Sequence, residues 1–125
     1  NPNAELAFNA GAHPILSLCT NGKLCPHQTF TAGEQHEFTF KNKPLTPKNF
    51  PSPKGVTWHL LLPIGDGWGA GTKPRFEADL LTRRISEINN QHGVVTLDVP
   101  ITAEGKMPDS ILSVLQETGR QIQKN

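Results

Sequence analysis

Val56-Thr-Trp-His-Leu-Leu-Leu62 is the best strand candidate in the chain, nearly apolar throughout, closed at Pro63 and followed by Ile64-Gly-Asp-Gly-Trp-Gly-Ala-Gly71. A continuous apolar run of that length bounded by proline reads as a strand buried on both faces. The four glycines of the following loop let the backbone adopt positive φ or approach a ligand closely. Pro74 suits a first helical turn, and Phe76, Leu80, Leu81, Ile85 and Ile88 recur at helical spacing on one face, with Arg83, Arg84 and Glu87 elsewhere. Asn89-Asn90 and Gly93 end that helix. The pattern then repeats. Val94-Val-Thr-Leu-Asp-Val99 forms a second strand closed by Pro100, Glu104-Gly105 turns the chain, and Pro108 opens a helix with Ile111, Leu112, Leu115, Gly119 and Ile122 as its inner stripe. A helical Gly119 costs about 1 kcal/mol against alanine, so it is expected to mark close contact with the sheet. Two successive strand, loop and helix blocks, 56–91 and 93–124, predict an α/β chain with a parallel sheet, its functional groups in loops at the strands' carboxyl ends.

Upstream of Val56 the elements are shorter. Glu5-Leu-Ala-Phe-Asn9 reads as a strand with nothing before it to cover it, as though a preceding part had been removed. Residues 10–32 are turn-rich, and Glu37 to Phe40 alternates as a short strand does. Lys41 to Gly55 carries Pro44, Pro47, Pro51 and Pro53 among four lysines, which forbids a regular helix and predicts a surface excursion.

The whole chain of 125 residues suffices for one domain or a part of one. Twelve Lys and Arg nearly cancel eleven Asp and Glu, so charge alone recruits neither nucleic acid nor anionic lipid, and a neutral ligand fits better. No apolar run approaches the roughly 20 residues that span a bilayer, so no membrane partner is expected. Cys19 and Cys25 enclose the turn signal Asn21-Gly22, which leaves two readings open: a small disulfide loop in an oxidising compartment, or two free thiols. His13, His27 and His36 lie nearby, but the spacing lacks the Cys-x2-4-Cys knuckle of a closed zinc site, and neither metal nor cofactor is expected. Gly65 to Gly71 is neither a dinucleotide fingerprint nor a phosphate-binding loop with Lys-Ser/Thr, and Asp66 would repel a pyrophosphate.

A carbohydrate site fits the residue types better. Sugars present C–H faces that stack on indole rings and hydroxyls that need carboxylate, imidazole and amide partners. Trp58, His59, Asp66 and Trp68 lie within eleven residues of one another, and Asp66 and Trp68 fall in the loop at the strand's carboxyl end, where barrel enzymes build their sites. Alternation along the strand leaves a second reading for Trp58 and His59, as packing residues. Glycoside hydrolysis also needs a carboxyl pair, about 5 to 5.5 Å apart for retention or about 6.5 to 9.5 Å for inversion. Glu34, Glu37, Asp66 and Asp98 are the candidates, with Glu34, after Thr31-Ala-Gly33, preferred.

Gly93-Val-Val-Thr-Leu-Asp-Val-Pro100, then Glu104-Gly-Lys-Met-Pro108 and Leu115-x-x-x-Gly119, resembles the end of the catalytic barrel of α-L-fucosidase-like glycoside hydrolases. In that family a Gly-Gly/Asn-x-Leu-Leu-Asn-x-x-Pro strand leads through a Gly-bearing loop to a helix with Leu-x-x-x-Gly. Asn1-Pro-Asn-Ala4 with Ala7-Phe-Asn9, Thr31-Ala-Gly-Glu34, and Trp58 with Gly67-Trp-Gly69 are similar to successive late strands and loops of the same barrel. The resemblance implies a partial (β/α)8 (TIM) barrel, comprising its last strands and helices, from a secreted or periplasmic retaining glycosidase. A full barrel takes about 250 residues, so this piece would be its C-terminal half. The family's nucleophile is an aspartate on an earlier strand with no counterpart here, so the chain is expected to be inactive alone. By resemblance Glu34 is the acid/base, His59, Asp66 and Trp68 shape the sugar subsite, and Asp98 is a polar partner at the barrel mouth. Two positions depart from the pattern: Thr57-Trp58-His59 stands where relatives place a Trp-Glu-type pair, and Asp98 where they carry Asn. An open half-barrel exposes strand edges and its inner face, so a homo-oligomer or union with a missing N-terminal half is expected. The alternative is a non-catalytic module that binds carbohydrate or protein.

Overall fold

The computed structural model describes residues 3–6 and 27–124. The described chain is an α/β structure of seven elements: β1 (Gly33–Glu34), β2 (Thr39–Phe40), β3 (Lys43–Pro44), β4 (Trp58–Pro63), α1 (Ala78–Asn89), β5 (Gly93–Asp98) and α2 (Asp109–Ile122). Strands β1, β4 and β5 form a parallel sheet in that order, with β4 central. Trp58 lies opposite Gly93 and Pro63 opposite Asp98, so β4 and β5 run the same length and deliver their loops to one edge. The parallel sheet predicted from the two repeated blocks is present.

Alternation along β4 divides the sheet into unlike faces. Trp58, Leu60 and Leu62 are buried, while His59 and Leu61 between them are half-exposed. The buried set joins Leu81 and Ile88 of α1 and Ile111 of α2 in one apolar core. Contact on this face is closest at Gly93, where an added Cβ would lie 2.6 Å from Ile88 Cγ2 and 2.9 Å from Trp58 Cε3. Burial of the indole ring of Trp58 carries no polar penalty, because its Nε1–H donates to the Phe50 carbonyl at 2.8 Å. Trp58 is thus a packing residue. The second face presents Thr57, His59 and Leu61 of the β4 segment and Val94, Thr96 and Asp98 of β5, as the register requires.

Several local readings need correction. The first helix begins at Ala78 behind an extended Glu77, four residues beyond Pro74, so that proline lies in the approach and not in the first turn. In α2, which starts after Pro108 as its sequence predicts, Ile111 and Thr118 are buried and Leu115, as expected, packs against the core together with Val114; Leu112 is exposed, and nothing lies within 4 Å of a Cβ placed on Gly119. The glycine that permits close helix contact is Gly93. The Lys41–Gly55 segment is more than a surface excursion. Lys41 and Asn42 both adopt positive φ, 48° and 63°, and turn β2 into β3 as a two-residue hairpin of the type-I′ kind. Leu45 then enters the core at 1% exposure, Lys48 N–H donates to the Gln91 side chain, and Phe50 receives Trp58. Most of the strand expected at residues 5–9, Cys19, Cys25 and His13 lie outside the described residues.

Candidate functional site

Three loops meet at the carboxyl end of the sheet. The loop after β4 is folded tightly on itself, because Gly65 and Gly71 remove the atoms that would obstruct it. A Cβ on Gly65 would lie 2.3 Å from the Ala70 carbonyl oxygen; Gly71, at φ 91°, would meet Asp66 N at 2.6 Å. The fold throws Trp68 out at the tip, where it remains 40% exposed. Its Nε1–H donates to Nε2 of His36 at 3.3 Å, and the two rings meet edge to face at 5.6 Å. His36 comes from the loop after β1. Asp98, the last residue of β5, holds the same loop at its start and at its tip: its backbone carbonyl accepts from Ile64 N–H, and its Oδ2 accepts from Gly69 N–H in a short hydrogen bond. Arg75 ties the remaining side together by donating to the His36 carbonyl at 3.2 Å and to Glu37 Oε1 at 2.7 Å.

The expected site residues therefore divide. Asp66, Trp68 and Asp98 come together at the carboxyl end, with the Asp66 side chain exposed and the Asp98 carboxylate engaged by backbone. Glu34 is half-buried in β1 opposite Leu61, two residues short of the end of β4, and the register puts it in one row with Leu61 and Thr96. His59 does not join them. It is the second residue of β4, four positions from Pro63, or roughly 13 Å along a strand.

At that amino end His59 is fully engaged. A carbonyl can only accept, so the contact at 2.9 Å to the Thr31 carbonyl fixes the proton on Nδ1, and Nε2 accepts from the Thr96 hydroxyl at 2.9 Å. Burial lowers the His59 pKa from the ordinary imidazole value, opposed by the hydrogen bond to Thr31. The ring is therefore neutral at pH 7 and has a fixed tautomer. Phe30 packs edge to face on it at 5.5 Å, and together with Glu5, Thr57, Val94 and Thr96 they line an open cleft of about 350 Å³. This corrects the expectation that His59 shapes the same subsite as Trp68.

Sequence reasoning missed His36 as a partner of Trp68, as well as Arg75 and Thr96. His36 follows β1, a strand of two residues whose sequence has no period to reveal it, so the position of His36 beside Trp68 emerges only from the fold. Among the described residues no three His, Cys, Asp or Glu side chains gather as a metal site, and no helix is long and apolar enough to cross a membrane. No protein-family model, curated protein or solved structure matches this chain.

Proposed function

We propose that these residues are the closing part of a (β/α)8 barrel in a retaining glycoside hydrolase similar to α-L-fucosidases, with its sugar subsite built around Trp68. The observation that carries the reading is an indole left 40% exposed on a loop at the carboxyl end of a parallel sheet, framed by an imidazole and carboxylates. An exposed indole offers its face to sugar C–H groups, and Asp66 beside it offers acceptors for hydroxyls. The barrel reading has a second support. Parallel sheets are covered on both faces, and here α1 and α2 cover only one, while no described strand pairs with the outer edge of β5.

In this mechanism Glu34 is the acid/base, protonating the leaving oxygen and then activating water. Asp98 acts by holding the loop that bears Trp68. The family's nucleophile maps onto no residue of this chain, so carbohydrate binding is expected from these 125 residues and turnover is not. The proposal includes a secreted or periplasmic origin and a partner, either the rest of the barrel or a second copy, against the face that the described helices leave open.

Calorimetric titration with L-fucose and fucosylated oligosaccharides tests the subsite: saturable binding that Trp68→Ala abolishes supports it, and binding indifferent to that change overturns it. The catalytic part is tested in the polypeptide encoded when the reading frame is extended upstream. There Glu34→Gln is expected to lower aryl-fucoside hydrolysis by about 10²- to 10⁴-fold. Full activity in that variant would refute the assignment, as would hydrolysis by residues 1–125 alone.

A further inference from the structure

We infer that His36 is a positioning residue for Trp68, and that it holds the indole only while its imidazole is neutral. An indole N–H is a donor and never an acceptor, so the contact from Trp68 Nε1 to His36 Nε2 requires a lone pair on that nitrogen. Protonation puts a hydrogen there. Two N–H groups then face each other, and the edge-to-face arrangement at 5.6 Å loses its hydrogen bond.

No other described residue replaces that tie. Among the described residues Trp68 is the one group hydrogen-bonded to the His36 ring; Arg75 reaches only the His36 backbone carbonyl. The charged groups nearest the pair on each neighbouring element are Glu34 in β1 and Glu37 next to His36, Asp66 two residues before Trp68, Arg75 ahead of α1, which donates to the His36 carbonyl and to Glu37, and Asp98 at the end of β5, which accepts from the N–H of Gly69 next to Trp68. Arg75 is committed to Glu37 at 2.7 Å, and Asp98 to the Gly69 N–H. The tip of the loop is thus anchored through the backbone by Asp98 and through the Trp68 side chain by His36. Release of the second anchor leaves the loop in place but frees the indole to turn. The inference rests on the sugar-site reading only in its consequence, that acidification weakens carbohydrate binding.

Following both indole N–H resonances of the intact chain by ¹⁵N NMR between about pH 8 and pH 5 tests it. The Trp68 resonance should move upfield in a single step as pH falls, while the Trp58 resonance, bonded to the Phe50 carbonyl, stays put. His36→Gln carries a side-chain oxygen near the position of Nε2 and should keep the high-pH shift at every pH. His36→Leu should show the low-pH shift throughout, with the unchanged Trp58 resonance reporting an intact fold. Where L-fucose binds, affinity should fall by about two- to tenfold across the step, the factor carried by one ordinary hydrogen bond, and stay flat in His36→Gln. A Trp68 resonance independent of pH, or a step that persists in His36→Gln, overturns the inference. A step without sugar binding at any pH leaves the His36 latch standing and removes the carbohydrate reading.

Discussion

The two faces of one sheet are built on different rules. On the helix-covered face, Trp58, Leu60 and Leu62 are almost wholly buried against Leu81, Ile88 and Ile111, and Gly93 removes the one side chain that would hold α1 away. On the opposite face His59 bonds the Thr31 carbonyl and the Thr96 hydroxyl, Asp98 accepts from Gly69 N–H, and Val94 is 46% exposed. The first face produces stability through volume and the second places polar groups. Substitutions on the two faces should therefore differ in kind as well as in size.

The largest effect belongs to the covered face. Leu60→Ala opens a cavity beside a strand with no exposed surface into which to relax, and chemical denaturation should show a loss of about 3 kcal/mol. A loss below about 1 kcal/mol would mean that the face is not the core. Gly93→Ala comes next, by overpacking. Its new methyl meets Ile88 and Trp58, and the expected cost is about 2 kcal/mol, with near-ultraviolet circular dichroism reporting the disturbed indole.

Much of this contrast was legible beforehand. An apolar run of strand length closed by a proline, repeated once and followed each time by residues at helical spacing, is enough to specify β4, α1, β5 and α2. The rest depended on tertiary context. Strands of two residues, as in β1, β2 and β3, carry no period to detect, and the hairpin turn uses Lys41-Asn42 without the glycine that marks such turns. Leu45 looked like part of a proline-rich excursion because its burial depends on Phe38, whose carbonyl it meets through a backbone hydrogen bond. The candidate site was half legible. Asp66 and Trp68 were singled out by their place after a strand and Asp98 by its place within one, and the fold puts all three at the carboxyl end of the sheet, whereas the pairing of Trp68 with His36 spans 32 residues and leaves no local trace.

On the open face the effects shrink. Thr96→Val removes the hydroxyl that donates to His59 Nε2, but the contact is solvent-accessible, so water replaces it and the cost should stay below about 1 kcal/mol. The nitrogen shifts of the His59 ring would record the lost bond. Smallest is the pH dependence of stability. Burial depresses the folded pKa of His59, so the unfolded chain takes up the proton first on acidification. The stabilising contribution is complete above the ordinary histidine value of about 6.5 and is lost as pH falls through the lower folded value. Melting curves should fall less between pH 7 and pH 5 for His59→Gln than for the unaltered chain. An equal fall would indicate that His59 titrates in the folded state as it does in the unfolded one.

The central claim is that function lies at the carboxyl edge of the sheet, in the loops tied together by Trp68, His36 and Asp98, and not in the cleft beside His59. Mapping backbone amide shifts during titration with L-fucose tests it most directly. The account predicts saturable changes confined to residues 34–37, 65–71 and 98. Changes centred on Phe30, His59, Val94 and Thr96, or none at any sugar concentration, would contradict it.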